Sequence, residues 1–522
     1  MWRIAIAVAL LVATPAAAQT VVDSDRIDKV SVTLYREPGR GEGAIKPGWP
    51  GGYALITETR TISLPAGRAV IRFEGVAEGM LPESAIVTGL PKRINEKNRD
   101  AQLLSPASLI NAYLKRSVII TRTDRATGKT KTEDAVIESG PGGGVLLTTA
   151  AGVEALGCSG LPVSLSYPGV PEGLSAKPTL SVVTDTAAAA TVTVQLSYLS
   201  QGFDWAANYV ARVAEDGKTL DLFAWLTVAN GGSQGFADAG TQAVAGGLHR
   251  EAAALLPQGL PPELTLQCWP MDITSTHPRW NIERITAQDI GSFPESDGFL
   301  MRVAGVMAPP PPPPPPPPAP PPPPMMAQQE DLGDLKLYRV PEPVTVAARS
   351  RKQVAMIDRK GVKFDRIYIA DFNGLLYGAP GALPSMPARL VLRTENREAK
   401  GLGLPLPAGA VTVFETARDE SMLVGESNLA DRAIGEEIEF GAGTSPDLRF
   451  VTVAQPKARK RAPFTVSVTN ARSTPETFEL ALPPKIASAS DTLIERKGRK
   501  VWRVIVPANG MATLNVAFEL PR

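Results

Sequence analysis

The chain has 522 residues, 43% of them hydrophobic, with 54 Lys and Arg against 53 Asp and Glu, and only two cysteines and two histidines. A charge balance this even lacks the basic excess with which nucleic-acid binders replace phosphate counterions, so DNA and RNA are not expected partners. The length is too great for one core and predicts several lobes.

The first eighteen residues have the three parts of a secretory signal: a basic start at Arg3, an apolar run Ile4 to Ala13, and small residues Ala16 and Ala18 before Gln19. Cleavage is expected near Ala18, which places the mature protein in the periplasm or outside the cell. A transmembrane anchor needs about 20 apolar residues, and this run is half that. No cysteine follows the small residues, so lipid attachment is not expected, and the mature chain should be soluble with no transmembrane segment. Losing this segment removes one base, Arg3, and no acid, leaving 53 of each sign.

Strand signals follow. Val30 to Tyr35 alternates apolar and polar residues with the period of a half-buried strand. Thr59 to Leu64 and Arg68 to Phe73 read as a hairpin closed by Pro65, Ala66 and Gly67. Helix is scarce: the best candidate is Pro106 to Lys115, capped by Ser105, with Leu109, Ile110 and Leu114 on one face. Ser117 to Arg122 and Val145 to Thr149 are strands, with turn chemistry at Thr127 to Lys129 and Ser139 to Gly144. Longer strands come next at Thr191 to Leu199, Tyr209 to Val213 and Thr219 to Val228, and glycine-rich Gly231 to Gly235 reads as a hairpin turn. From Lys363 to Phe518, nine short strands separated by turns argue for sandwiches. The expected fold class is all-β: tandem β-sandwich-like lobes with few short helices and a long Pro-rich surface insertion. That insertion, Pro309 to Pro324, is proline apart from Ala319 and predicts a semi-rigid rod of about 50 Å outside the core.

Cys158 and Cys268 are expected to form a disulfide, because an exported chain meets an oxidising compartment. Closing a loop of about 110 residues would contribute roughly 4 to 5 kcal/mol in the chain-entropy view. The alternative is two buried thiols.

Residues for chemistry are in short supply. His249 and His277 have no second histidine or cysteine at metal-ligand spacing, and no G-x-S-x-G elbow occurs, so no catalytic residue, metal site or cofactor is assigned. Gly142 to Gly144 lacks the Lys-Ser or Lys-Thr of a phosphate loop. Asp371, Asn373 and Gly374 suggest an Asn-Gly turn rather than a calcium loop. The basic run Lys457 to Arg461 reads as a solvated loop. Glycoside hydrolysis needs only two neighbouring carboxylates, for which Glu415 with Asp419, or Glu436, Glu437 and Glu439, are the candidates. Phe203, Trp205 and Tyr209 in YLSQGFDWAANY could stack on sugars, although sheet cores use aromatics in the same way.

That segment, with Thr219 to Leu248, LPLPAGAVTVFE at Leu404 to Glu415, LVGESNLADRAIGEEIEF at Leu423 to Phe440 and FTVSVTNARSTPETFEL at Phe464 to Leu480, resembles a bacterial family of exported proteins carrying a domain of unknown function, sometimes labelled mucoidy-inhibitor-like. The resemblance runs from about Thr191 to the C-terminus. It implies tandem β-sandwiches of the periplasm or cell surface and an envelope or exopolysaccharide role, with no established activity or residue set to carry over. Family members often place a long coiled coil before the shared domain, and no heptad run exists here. The domains expected are a signal peptide at 1–18, a β-rich domain at 19–185, and a family domain at 186–522 with the polyproline insertion at 309–324 and a C-terminal β lobe at 445–522.

The function expected is that of a non-enzymatic envelope scaffold binding a polysaccharide or a protein; the rival is a carboxylate-dependent hydrolase of envelope glycans. An outer-membrane barrel is a third reading, disfavoured because long irregular segments separate the strands.

Overall fold

Alternating apolar residues bury themselves along one face of each strand, and in Gly52–Leu64 every second residue from Gly52 onward is buried. The computed structural model describes residues 20–91, 94, 96–100, 104–124, 127–140, 144–156, 163–171, 174–246, 326–333, 335–376, 380–417, 420–456 and 460–520. The signal segment, both cysteines, both histidines, the polyproline tract, Gly142, Gly143, Asp419 and Lys457 lie outside the described residues. The all-β class holds, with four sheets and the single α-helix Pro106–Ala112 among the described residues.

The chain separates into two units, one of which is the described stretch 104–174. It carries a five-stranded antiparallel sheet in the order Gly152–Ala155, Leu146–Thr149, Thr130–Ile137, Ser117–Thr123 and Val163–Ser166. Its helix ends at Ala112, short of the expected Lys115, which takes φ 60. Ser105 and Ser108 form a reciprocal capping box, and Ile110 and Tyr113 bury against Val118, Ile120 and Leu147.

The other unit joins residues on both sides of the division expected at 185, because Lys29–Tyr35 and Gly52–Leu64 share a sheet with Ala190–Val213. That twelve-stranded sheet runs Gln328–Leu332, Leu335–Arg339, Phe236–Ala245, Lys29–Tyr35, Gly52–Leu64, Ala190–Val213, Thr219–Asn230 and Ser350–Lys363, with Gly409–Ala417 parallel to the second half of Ala190–Val213. A four-stranded sheet of Thr20–Ser24, Gly67–Glu74, Thr179–Thr186 and Glu96–Asp100 contributes to the same core, in which Ile71, Phe73 and Val182 cluster with Ile56, Val194 and Leu196.

Two expected hairpins are absent. Gly52–Leu64 pairs with Ala190–Val213 and Lys29–Tyr35, whereas Gly67–Glu74 pairs with Thr179–Thr186 and Thr20–Ser24, so Pro65 and Ala66 carry the chain between sheets. Residues 231–235 likewise close no hairpin, linking Thr219–Asn230 to Phe236–Ala245, strands of the same twelve-stranded sheet that do not pair with each other.

The ten-stranded sheet forms the C-terminal lobe. Its strand Glu437–Ala454 pairs with Met386–Glu395 from Glu437 as far as Phe450 and with Arg461–Asn470 from Leu448 to Ala454. The core there holds Phe450, Phe464, Phe478, Trp502 and Phe518.

Candidate functional site

A bulge sets the floor of the site. Pairing of Ala190–Val213 with Gly52–Leu64 is continuous to Gln201 and resumes at Phe203, leaving Gly202 out of register. Gly202 has φ 83, which glycine adopts without steric cost. A Cβ there would stand 2.7 to 2.9 Å from Cζ2, Cε2 and Cη2 of Trp49, and one on Gly79 would reach within 3.0 Å of the same Cζ2. The six-membered ring of Trp49 therefore rests on bare backbone, and the residue as a whole is half-buried.

Trp49 is carried by the loop 36–51, which is fastened at several points. Arg40, 5% exposed in its side chain, pairs with Asp204, which is fully buried. Asp204 also accepts from the Glu37 N–H at 3.1 Å and the Trp205 N–H at 2.8 Å, and Arg40 donates to the Trp205 carbonyl at 2.7 Å. Burial pushes the Asp204 carboxyl up to about 6, against the pull of Arg40 and the two N–H donors. Ile45 packs with Ala206 and Ala229, and Arg351 donates to the Ile45 carbonyl at 3.2 Å. Pro50 is buried over Gly231, where a Cβ would collide with its ring.

Beside this indole lies an open groove of about 610 Å³, lined among others by Lys46, Trp49, Glu78, Asn230, Arg349 and Arg351. Glu78 accepts from the Ser233 N–H at 2.8 Å, and Asn230 spans the turn by accepting from Gly232 and donating to the Gln234 carbonyl. Arg349 takes φ 47, a conformation costing a non-glycine residue about 1–2 kcal/mol. The turn is pinned by the Arg349 N–H on the Gly232 carbonyl at 3.1 Å and by Ser350 on the Ala347 carbonyl at 2.8 Å. An aromatic side chain that lines an open groove beside guanidinium groups can stack on a ring and pair with acidic groups.

The residues singled out by sequence fall elsewhere. Phe203, Trp205 and Tyr209 are at most 1% exposed, and the Trp205 and Tyr209 polar tips donate to the carbonyls of Val244 and Pro407 at 3.1 and 2.6 Å, so these rings are core. Glu415 pairs with Arg366 at 2.7 Å. Glu436 accepts from the Ala433 N–H at 2.8 Å. Asn373 precedes a short 3-10 turn, Gly374–Leu376, and Asp371 is held between Arg389 and Arg499 at 2.9 and 2.8 Å.

Glu437 and Glu439 do come together, with a third carboxylate that sequence reasoning misses, Glu479. Arg393 donates to Glu439 at 2.9 Å and twice to Glu479, at 2.8 and 2.7 Å, and Arg496 donates to Glu437, to Glu439 at 2.8 Å and to Glu479 at 2.9 Å. Burial pushes the Glu439 carboxyl up, but Lys497 and Arg393 more than reverse this and hold it below its ordinary 4.5. Glu439 is thus kept ionised, the opposite of what a general acid needs near neutral pH.

Among the described residues no cluster of three or more His, Cys, Asp or Glu is placed to hold a metal, and no helix is long and apolar enough to cross a membrane. No family model matches the chain, and no curated protein matches it.

Proposed function

We propose that this chain is an exported, non-enzymatic protein of the bacterial cell envelope, a β-sheet scaffold that binds an envelope polysaccharide or protein through the Trp49 groove. The observation that carries the reading is the indole held on Gly202 and Gly79 with its remaining surface turned to an open groove. Core aromatics in this chain have their polar tips satisfied, as Trp205 does on Val244, whereas the Trp49 N–H has no acceptor among the described residues. A part-exposed indole on a glycine bed is costly to leave in water and useful as a stacking platform. The signal-like N-terminus and the resemblance of 191–522 to exported mucoidy-inhibitor-like proteins support the envelope setting.

The hydrolase reading is less well supported, since the carboxylates that gather are neutralised by Arg393 and Arg496. The reading is tested by pull-down of the mature protein from envelope extract, with the size of bound glycan followed over time. Saturable capture of an intact component is expected; glycan fragments accumulating with the purified protein would overturn it.

A further inference from the structure

We propose that the ligand of the Trp49 groove is an acidic polysaccharide, one sugar ring stacking on the indole while its carboxylates meet Arg349 and Arg351. This rests on the groove being a binding site, as argued above, and adds the chemistry of its occupant. Arg349 is exposed and has neither an ion-pair partner nor a side-chain hydrogen bond among the described residues. Arg351 has no ion pair and spends one nitrogen on the Ile45 carbonyl. Lys46 is already balanced by Glu37, and Glu78 is the single acid among the described residues that line the groove, with one oxygen engaged by Ser233. Two guanidiniums with no ion pair among the described residues therefore flank an aromatic platform.

Backbone strain gives the same answer independently. Arg349 sits at a left-handed position where glycine would be more comfortable, and the turn is held by its own backbone N–H on the Gly232 carbonyl and by the Ser350 hydroxyl on the Ala347 carbonyl, neither of which uses the Arg349 side chain. A backbone cost of this kind is in keeping with a side chain that serves a ligand rather than the fold. Arginine's planar fork suits the paired oxygens of a carboxylate. The open form of the groove suits an internal stretch of a polymer better than an enclosed small molecule.

The test measures binding of polygalacturonate, of the same polymer with its carboxyls reduced, and of polyglutamate, to the mature protein, to Arg349→Gly and to Trp49→Ala. The polyuronate is expected to bind saturably, with its affinity falling as salt rises, and the reduced polymer at least about tenfold more weakly, as loss of a charge-assisted hydrogen bond implies. Arg349→Gly is expected to weaken polyuronate binding about tenfold while the unfolding temperature stays level or rises, a combination that a merely structural arginine would not give. Equal binding of the reduced polymer, lost in Trp49→Ala, would keep the groove as a glycan site and overturn its acidic preference. Polyglutamate binding as tightly as polyuronate would overturn the sugar. Binding indifferent to Trp49→Ala, or absent for every polymer, would overturn the proposal.

Discussion

Arg60→Met is expected to cost about 3–5 kcal/mol of stability, read from urea unfolding at neutral pH, because it strands a carboxylate in the core. Glu58 and Arg60 lie two apart on Gly52–Leu64, share its inward face, and are wholly buried. Arg60 gives Nε and Nη2 to Glu58 at 2.9 and 2.6 Å, Nη2 to the Glu74 carbonyl at 2.8 Å, and Nη1 to the Ser24 carbonyl, and its guanidinium lies 5.7 Å from the Phe73 ring centroid. The other Glu58 oxygen accepts from the Tyr198 hydroxyl at 2.7 Å, which itself accepts from the Ala77 N–H at 3.0 Å. Burial raises the Glu58 carboxyl even with Arg60 present, and burial together with Glu58 raises Tyr198 well above its ordinary value. Without Arg60 the carboxylate must take a proton or pull the sheets apart. Glu58→Leu combined with Arg60→Met should recover most of the loss, since buried ion pairs exchange for apolar residues at little cost. Faster amide exchange in Thr20–Ser24 should accompany the single change, because Ser24 loses its anchor. A single variant within 1 kcal/mol of the parent contradicts this account.

Asp204→Ala is expected to lower stability by a similar amount, about 3–5 kcal/mol, and also to weaken ligand binding in whatever fraction remains folded. The substitution leaves Arg40 unpaired inside the protein and removes the acceptor for the Glu37 and Trp205 N–H groups, releasing the base of the Trp49 loop. The pH dependence has a definite sign. With the Asp204 carboxyl raised from 3.8 to about 6, the folded chain keeps a proton that the unfolded chain has released, so this group's contribution is full below pH 4 and lost as pH rises through 6. Asp204→Asn should flatten that part of the stability profile, measured by urea midpoints from pH 4 to 7. An unchanged profile would show that the carboxyl titrates alike in both states.

Strands were legible wherever one face is buried, because a period of two is then forced on the residues, as in Lys29–Tyr35 and Arg461–Asn470. Alternation fails where burial is two-sided: Ala190–Val213 reads as two strands because Phe203 to Ala207 are buried in succession, just after the bulge at Gly202. Pro65, Ala66 and Gly67 look alike whether the next strand pairs with the last or crosses to another sheet, since the choice is made by partners more than a hundred residues away, at Thr179–Thr186 and Ala190–Val213. The groove was hidden for the same reason. Lys46 to Pro50, Glu78, Ala229 to Gly231 and Arg349 to Arg351 meet only after the sheet has formed, and none carries a local motif. Trp49, between Gly48 and Pro50, shows no strand or helix periodicity, while the conspicuous YLSQGFDWAANY puts Phe203, Trp205 and Tyr209 in the core and supplies only Gly202 beneath Trp49.

The central claim is that the indole of Trp49 is a binding platform rather than a packing residue. Equilibrium binding of polysaccharide purified from the envelope, measured side by side for the mature protein and Trp49→Ala with unfolding curves for both, tests it most directly. The account predicts a loss of affinity of about thirtyfold or more, the size expected when an anchoring aromatic is truncated, with folding retained. Equal affinity in the two proteins would contradict it.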